Sequence, residues 1–372
     1  MLKIGIIGHK EVPSYNGGIE AVLTEMIPLF NKEDIELTIY NRWTTFYNLK
    51  EWGEKKRYEG FRIVRIPTFK KSFLNAFVYS ALASIHAMFS PYDIVHYHAE
   101  GPSTMCILPR LTGKKIVCTN HGLDWNRSKW GGFATRYLKL GEKMSVYKSD
   151  ALIVLSGTIA NYFKDKYNKD TIIIRNGIKT NDLVNANLII KELGLDKNSY
   201  YLALGRIVPE KGLHYLIPAY SRLDTDIKLV IAGELTQSEY CLKLMEQAKG
   251  NDNIIFTGFV GGELKQELFS NAFAYVLPSE LEGMSISLLE ALSYGCNVIA
   301  SNIPENRYIY DNQITFFESE NIDSLVKVLE SIQPLTKEEK DKQIEFIRNH
   351  YNWSQVVKKT MEVYRKVTHN EK

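Results

Sequence analysis

Residues 3–20 read KIGIIGHKEVPSYNGGIE, and this segment gives the first indication of the fold class. The apolar run Lys3–Gly8 predicts a buried strand, and the pair Gly17 and Gly18 predicts a loop from which a helix begins at about Ile19. Such a unit leaves unpaired backbone N–H groups at the helix N-terminus, where peptide dipoles favour a phosphate. An ordinary loop-to-helix joint explains the two glycines equally well. The dinucleotide fingerprint GxGxxG is absent, which disfavours a nicotinamide cofactor.

The same alternation of short apolar strands and helix-length segments continues outward from this unit and occurs in two sets. The first set comprises Lys3–Gly8, Glu36–Tyr40, Phe61–Ile66, Asp93–His98, Lys115–Thr119 and Ala151–Ser156. The second comprises Tyr200–Gly205, Lys228–Ala232, Asn253–Thr257, Ala274–Leu277 and Asn297–Ala300. Two such sets predict two Rossmann-like, doubly wound α/β domains. The turn signal Asn176–Gly177 places the first domain at residues 1–178, joined by a terminal helix in 352–372, and the second at 179–351.

Composition and charge limit the possible functions. The net charge of +3 over 372 residues is too small to indicate nucleic acid. The basic excess gathers in residues 53–71 (seven Lys or Arg against two acids) and 110–148 (nine against two). Such regions could meet phosphates or an anionic membrane surface, or simply form a solvated face. The segment Ser72–Tyr92 has no charged residue but is too polar for a spanning helix, so a mostly buried helix is expected, with membrane-surface contact as the alternative.

Cysteine spacing and the N-terminus favour a cytoplasmic protein. The four cysteines are far apart and form no CxxC pair, which suits a reducing compartment and disfavours a zinc site or disulfides. The start MLKIGIIGHK lacks the features of a signal peptide. His96 and His98 could suggest a metal, but alternate histidines on a buried strand more often pack or donate hydrogen bonds.

Two later stretches carry candidate binding residues. In LALGRIVPEKG (residues 202–212), Arg206 and Lys211 follow a strand, where they could neutralise a diphosphate leaving group without a metal. In LPSELEGMSISLLEALSYG (residues 277–295), Glu282 and Glu290 are eight residues apart, which would place them near one helix face. Paired carboxylates could hold the hydroxyls of a polyol ligand. Alternatively, Glu282 caps the helix and Glu290 is an exposed helical residue.

The segments GGIE, GRIVPEKG and ELEGMSISLLEALSYG, in this order and over nearly the whole chain, resemble the family-4 retaining glycosyltransferases. The resemblance implies the GT-B fold, with two Rossmann-like domains facing across a cleft and a terminal helix crossing back to the first domain. IIGHKEVPSYNGGIEAV and HGLDWNRSKWGGFATRYLKLGEK resemble, more narrowly, the rhamnosyl-, galactosyl- and glucosyltransferases that build bacterial surface polysaccharides. The family often has EGFG or EGLG where this chain has EGMS, which leaves the donor sugar open.

The resemblance also implies site residues and partners. Arg206 and Lys211 would bind the donor diphosphate, Glu290 the ribose and Glu282 the transferred sugar. The remaining implied positions are Gly17 and Gly18 over the diphosphate, His121 beside the reacting sugar, Gly258 and Phe259 at the base, and Gly283, Met284, Ser285 and Ile286 at the sugar or phosphate. The first domain would hold the acceptor and the second the nucleotide diphosphate-sugar donor, with no cofactor or metal.

The expected reaction is transfer of a hexosyl or deoxyhexosyl group, with retention, to a saccharide acceptor. A polyprenyl diphosphate-linked acceptor and peripheral contact with the inner face of the plasma membrane are suggested by the basic first domain and its aromatic residues Trp43, Trp52, Trp125 and Trp130. Two other functions stay open: a nucleotide-sugar epimerase of GT-B shape, and a non-catalytic nucleotide-sugar-binding protein.

Overall fold

The computed structural model describes residues 1–43, 56–69, 72–126, 132–180, 182–310 and 313–369, without the side chains of Ser72 and Phe73. Trp52 and Trp130 lie outside these residues. The chain forms two compact units, one comprising Met1–Gly177 with Trp353–Lys372, the other Ile178–Asn352.

The first unit is built on one sheet. Its strands are β1 (Leu2–Ile7), β2 (Ile35–Trp43), β3 (Arg57–Tyr58), β4 (Phe61–Pro67), β5 (Ile94–His98), β6 (Lys115–Asn120), β7 (Ala151–Val154) and β8 (Ile172–Ile173). The strand order is β3-β4-β2-β1-β5-β6-β7-β8, and all pairs are parallel apart from β3 with β4. The apolar runs form strands because helices cover both faces of this sheet.

The helices of the first unit lie in two layers. They are α1 (Gly18–Met26), α2 (Ser72–Phe89), α3 (Glu100–Ser103), α4 (Ile107–Arg110), α5 (Gly132–Lys148), α6 (Gly157–Tyr167) and α15 (Trp353–His369). Tyr79 of α2, Cys106 at the start of α4 and Val146 of α5 share one core with Val95 and Tyr97 of β5. The intervening His96 points to the opposite face, where it meets Tyr364 of α15.

The second unit contains a parallel sheet between helices. Its strands are β9 (Tyr200–Leu204), β10 (Lys228–Ala232), β11 (Ile254–Gly258), β12 (Ala274–Leu277), β13 (Val298–Ser301) and β14 (Ile314–Phe317), in the order β11-β10-β9-β12-β13-β14. Its helices are α7 (Leu188–Leu193), α8 (Leu213–Tyr220), α9 (Glu239–Ala248), α10 (Gly262–Asn271), α11 (Ile286–Ser293), α12 (Pro304–Tyr310), α13 (Ile322–Ser331) and α14 (Lys337–His350). None of the described helices has the length and apolarity that crossing a bilayer requires.

The prediction of two doubly wound α/β sheets is confirmed, but three short strands were missed. The two-residue strands β3 and β8 are too short to show a pattern. In β14, Ile314 and Phe317 are buried while Thr315 is exposed, because this strand pairs with β13 at the sheet edge. Its sequence therefore lacks the continuous apolar run by which the central strands were recognised.

In each sheet, strands lie on both sides of the strand that comes first in the unit, so the strand order reverses at that strand. In the first sheet β1 lies between β2 and β5, and in the second β9 lies between β10 and β12. The loops that leave the carboxyl ends of two such strands diverge to opposite faces and open a crevice, which is where doubly wound sheets bind ligands.

A close backbone contact joins the two loops at the crevice of the second sheet. Gly212 follows the 3-10 turn Pro209–Lys211 with φ of +65°, and a Cβ there would lie 1.9 Å from the carbonyl oxygen of Pro278. The loop after β9 is thus in direct contact with the loop after β12. Gly194 has a similar φ of +61°, but open space surrounds its α-carbon.

We predict that Gly212→Ala destabilises the protein more than Gly194→Ala does. The left-handed backbone alone costs about 1 kcal/mol with a side chain, which both variants share. The clash with Pro278 should add more than about 2 kcal/mol in Gly212→Ala. Urea unfolding followed by circular dichroism measures the difference, and equal losses in the two variants would contradict the close contact.

Candidate active site

The crevice of the second sheet contains the predicted cations. A pocket with about 280 Å³ of empty space is lined by the ends of β9 and β12, by Arg206 and Lys211, and by Pro278. Arg206 is exposed, whereas the Lys211 side chain retains only 16% of its exposure. Two cations beside bare strand ends form a positive site that an anion such as a diphosphate can enter.

Glu282 lies against Lys211 in this crevice. Lys211 Nζ is 2.5 Å from Glu282 Oε1, and Ser279 donates its hydroxyl to the same oxygen at 2.7 Å. The Ser279 carbonyl in turn accepts the hydroxyl of Ser301. One oxygen of the carboxylate is therefore held by a donor from the loop after β9 and by a donor from its own loop after β12.

Glu290 stands in a second ion pair nearby. It lies on α11, which Ser285 caps by accepting the Leu288 N–H at 3.3 Å. Lys265 Nζ of α10 is 2.6 Å from Glu290 Oε1, and both side chains are partly exposed. Lys265 was not among the predicted residues, because no motif links it to a partner 25 positions along the chain.

Tyr275 lies close enough to both glutamates for their charges to act on it. Its hydroxyl donates to Ser287 at 2.8 Å. Burial raises its pKa, and the charges of Glu282 and Glu290 raise it further, so the phenol stays protonated. Both carboxylates therefore lie near Tyr275, but the prediction that they lie near one helix face was wrong. Glu282 lies in the loop before α11 begins at Ile286, so helical periodicity does not relate it to Glu290.

The other predicted residues of the second unit lie around the same sheet edge. Gly258 ends β11 with φ of +74°, and its carbonyl accepts the N–H of Gly233 at 2.9 Å. A Cβ at Gly233 would lie 2.1 Å from the carbonyl of Gly205, so three strand ends are closely packed. Phe259 is exposed. The remaining predicted positions precede or begin α11: Gly283, Met284, Ser285 and Ile286.

In the first unit, α1 begins at Gly18 with Gly17 as its N-cap, one residue before the predicted start at about Ile19. A Cβ at Gly17 would lie 2.1 Å from Glu20 Oε2, so the Glu20 side chain folds back over the glycine. Glu20 Oε1 accepts the N–H of Lys10 at 2.7 Å. The acidic residue of GGIE therefore fixes the loop between β1 and α1, which the sequence did not reveal.

His121 follows β6 and meets a row of buried histidines. Its Nε2 is 2.9 Å from His98 Nδ1, and the His98 ring lies 4.3 Å from that of His96. Burial lowers the pKa of His96 to about 3 and that of His98 well below its ordinary value, so both are neutral at pH 7. Both nitrogens of His96 are occupied, by Tyr364 and by Thr119, each at 2.7 Å. His96 therefore has no nitrogen left for a metal.

Two buried glutamates lie beneath the loop that carries His121. Glu142 of α5 is fully buried and accepts from Trp125 Nε1 at 2.6 Å and from Lys166 at 2.9 Å. Glu100 accepts from Asn120 Nδ2 at 3.2 Å and from the N–H of Trp125 at 3.3 Å. Glu100 thus accepts hydrogen bonds from residues on either side of His121, whereas Glu142 holds the Trp125 side chain.

These glutamates were missed as functional residues, although one lay in a quoted motif. Glu142 belongs to the GEK of the N-terminal resemblance, but its distant partners cannot be deduced from spacing. The preceding Gly141 explains the contact: a Cβ there would lie 1.9 Å from the carbonyl of Glu100. Only glycine allows α5 to approach α3 this closely.

Comparison with known proteins agrees with the sequence resemblance and the fold. The family model described as Glycosyltransferase Family 4 matches residues 16–182, and Glycosyl transferases group 1 matches residues 185–353. O-antigen chain mannosyltransferase C of Escherichia coli is 25% identical, over 78% of this chain and 77% of its own.

Two solved structures have the same fold. Sucrose-phosphate synthase of Thermosynechococcus elongatus superposes with a TM-score of 0.81 at 16% identity, covering 99% of both chains. HepE of Anabaena, solved with UDP-glucose, has a TM-score of 0.77 at 14% identity, covering 98% of this chain and 100% of its own. Both show two parallel-sheet domains of the GT-B kind.

The buried pair in the first unit predicts a pH effect on stability. Burial, followed by the charges of Asp124 and Glu142, raises the pKa of Glu100 well above its ordinary value. The native state therefore keeps a proton that the unfolded chain loses at about pH 4.3, and stability should fall as the pH rises toward the folded pKa. Glu100→Gln imitates the neutral carboxyl and should remove that loss.

Thermal unfolding at pH 5 and pH 8 measures this effect. The Tm of Glu100→Gln relative to wild type should be higher at pH 8 than at pH 5. An equal difference at the two pH values would show that Glu100 carries no extra proton in the folded state.

Proposed function

Since the chain belongs to glycosyltransferase family 4, we propose that it transfers a hexosyl or deoxyhexosyl group from a nucleotide diphosphate-sugar to a saccharide in bacterial surface polysaccharide biosynthesis. Glycosyl transfer itself follows from the family. The observation that supports the finer proposal is that Arg206 and Lys211 line the pocket between β9 and β12, while Lys211 also pairs with Glu282. The two cations suit the diphosphate of such a donor, and the carboxylate suits the hydroxyl groups of its sugar.

The proposed donor site lies in the second unit. Arg206 and Lys211 bind the diphosphate, and Glu282 accepts hydrogen bonds from the transferred sugar. Lys211 has three N–H donors, so it can keep Glu282 in place while it also donates to a phosphate oxygen. Glu290 receives the ribose hydroxyls, and Lys265 holds that carboxylate in position at 2.6 Å.

The base and the remaining donor atoms are assigned to backbone positions at the same sheet edge. Gly258 and the exposed Phe259 lie beside the base. Backbone amides of residues 283–286 donate to the sugar or to a phosphate at the start of α11. His121, Gly17 and Gly18 of the first unit act on the reacting sugar and diphosphate, and that unit binds the acceptor.

The reaction proceeds with retention of the anomeric configuration. The bond between the anomeric carbon and the β-phosphate oxygen breaks as the acceptor oxygen attacks on the same face of the sugar. The acceptor proton passes to the departing phosphate oxygen. Arg206 and Lys211 stabilise the charge that develops on the leaving group, which is the task that a metal ion performs in other transferases. No metal is therefore required.

The contacts around His121 within the first unit support this role. The neutral His98 holds its ring at 2.9 Å, and the loop rests on Glu100 and Glu142. A group held by packed and hydrogen-bonded neighbours can meet the reacting sugar without reorganisation.

The acceptor is a saccharide on a polyprenyl diphosphate, reached at the inner face of the plasma membrane. The likeness to an O-antigen chain mannosyltransferase supports a polysaccharide acceptor. The basic excess in residues 110–148 supports an anionic lipid carrier. The UDP-glucose bound to HepE supports a nucleotide diphosphate-sugar as the donor.

We predict that Lys211→Ala lowers kcat at least about a hundredfold, because one donor to the leaving group is lost. Lys249→Ala is the matched control, since Lys249 is exposed on the same unit and pairs with Glu246 at the surface. Nucleotide release in the presence of acceptor measures both variants, and circular dichroism checks the fold. An unchanged rate in Lys211→Ala would remove it from the reaction.

The donor and the stereochemistry can be established together. A thermal-shift panel of nucleotide diphosphate-sugars should identify the donor as the compound that raises Tm, since a ligand stabilises the native state that binds it. With that donor, polyprenyl diphosphate-saccharide and a chelator present, NMR of the product should show the anomeric configuration of the donor. An inverted product would contradict retention, and an isomerised donor formed without acceptor would indicate an epimerase.

A further inference from the structure

An apolar stripe is exposed along α2 of the first unit. Leu74, Leu82, Ile85 and Phe89 lie on one side of this helix at helical spacing, and Phe89 keeps 79% of its exposure. The helix has no Asp, Glu, Lys or Arg. Apolar helix faces normally turn toward the core, so an exposed one indicates contact with something outside the chain.

A second stripe runs along α5 and alternates apolar with basic side chains. Phe133, Arg136, Leu140, Lys143 and Tyr147 follow one another at spacings of three and four residues, and all are exposed. They therefore share one face of the helix. The only acidic residue of α5 is Glu142, and that side chain is fully buried. The exposed face is thus both cationic and apolar.

The two stripes belong to one layer. Tyr79 of α2, Cys106 of α4 and Val146 of α5 pack into the same core on the same side of the sheet, so the opposite sides of these helices face away from the sheet together. Thr112 donates its hydroxyl to Met88 O at the end of α2, at 3.1 Å. The residue before Thr112, Leu111, is 70% exposed.

We propose that this outer face of α2, α4 and α5 docks on an anionic lipid bilayer. The apolar side chains enter the boundary between headgroups and acyl chains, and Arg136 and Lys143 contact lipid phosphates. Interfacial helices combine these two features: a stripe of Phe and Leu and a set of Lys or Arg.

Charge favours a bilayer over a second copy of the chain. Two copies meeting through this face would bring Arg136 and Lys143 against the same cations, with no exposed acid on either helix to balance them. Arg110 adds little, because Asp150 neutralises it at 3.0 Å. An anionic surface, in contrast, complements every exposed charge on α2 and α5.

This proposal rests on the proposed function, because it assumes a lipid-linked acceptor. It adds the surface through which the first unit reaches the lipid that carries that acceptor. Neither His121 nor Gly17 is among the side chains that form the docking face. Lipid contact and glycosyl transfer can therefore be measured separately.

Flotation with lipid vesicles tests the proposal on the full chain. Wild type should float with vesicles of phosphatidylcholine and phosphatidylglycerol, and binding should fall with phosphatidylcholine alone or at high salt. The variant Leu82→Gln with Ile85→Gln and Phe89→Gln should bind at least about tenfold less. Arg136→Gln with Lys143→Gln should also lose at least about tenfold and should lose the salt dependence.

Matched controls distinguish this face from the rest of the surface. Lys358→Gln with Lys359→Gln removes two exposed cations from α15, on the opposite layer of the same unit. Leu242→Gln with Met245→Gln removes two exposed apolar side chains from α9. Both should float as wild type does, and thermal unfolding checks that every variant is folded.

The outcomes separate the docking face from the enzyme's reaction. Nucleotide release with a water-soluble saccharide acceptor and no vesicles should be the same in the α2 and α5 variants as in wild type. Unchanged flotation of both variants would overturn the proposed face. A loss of dimer on ultracentrifugation of the α2 variant would also overturn it, in favour of a second copy. Failure of transfer with intact flotation would contradict the reaction alone.

Discussion

The carbonyl oxygen of Pro278 rests against the α-carbon of Gly212, and the second unit's site depends on that contact. It joins the loops that leave β9 and β12 at the point where the sheet reverses its winding. Lys211 directly precedes the contact on one strand's loop and Glu282 follows it on the other's. A second backbone bond, from Glu280 N to Glu210 O at 3.0 Å, fixes the register of the two loops. The 2.5 Å ion pair is thus a consequence of backbone packing.

The first unit has a similar close backbone contact at a glycine, where its own strand order reverses. Gly8 follows β1 with φ of +132°, and a Cβ there would lie 2.1 Å from the carbonyl of His98 at the end of β5. Gly141 permits an equally close approach between α5 and α3. In each case an absent side chain lets two backbones meet, and the functional groups beside them are positioned by neighbours that cannot shift. Such sites are organised before a ligand arrives.

Much of this arrangement could be predicted from the sequence, because parallel strands and their loops are local patterns. The cations Arg206 and Lys211 were recognised because they follow a strand that the pattern identifies, and strand ends meet at one edge. Lys265, Glu100 and Glu142 were not recognised, because their partners are set by tertiary packing that no spacing records. Glu282 was placed near Glu290 for the wrong reason, since a loop and not a helix carries it. The assignments of individual ligand atoms stay predictions.

The terminal helix has a consequence for how the protein is made. Tyr364 of α15 supplies the hydroxyl that satisfies the buried His96 Nδ1, and Trp353 lies against Gly177, where a Cβ would be 2.6 Å from its ring. Both belong to the first unit, yet the ribosome delivers them after the whole second unit. Until α15 is made, part of one face of the first unit's sheet stays uncovered, while the second unit can already close its own core. The first unit is therefore the first to be synthesised but the last to complete its fold.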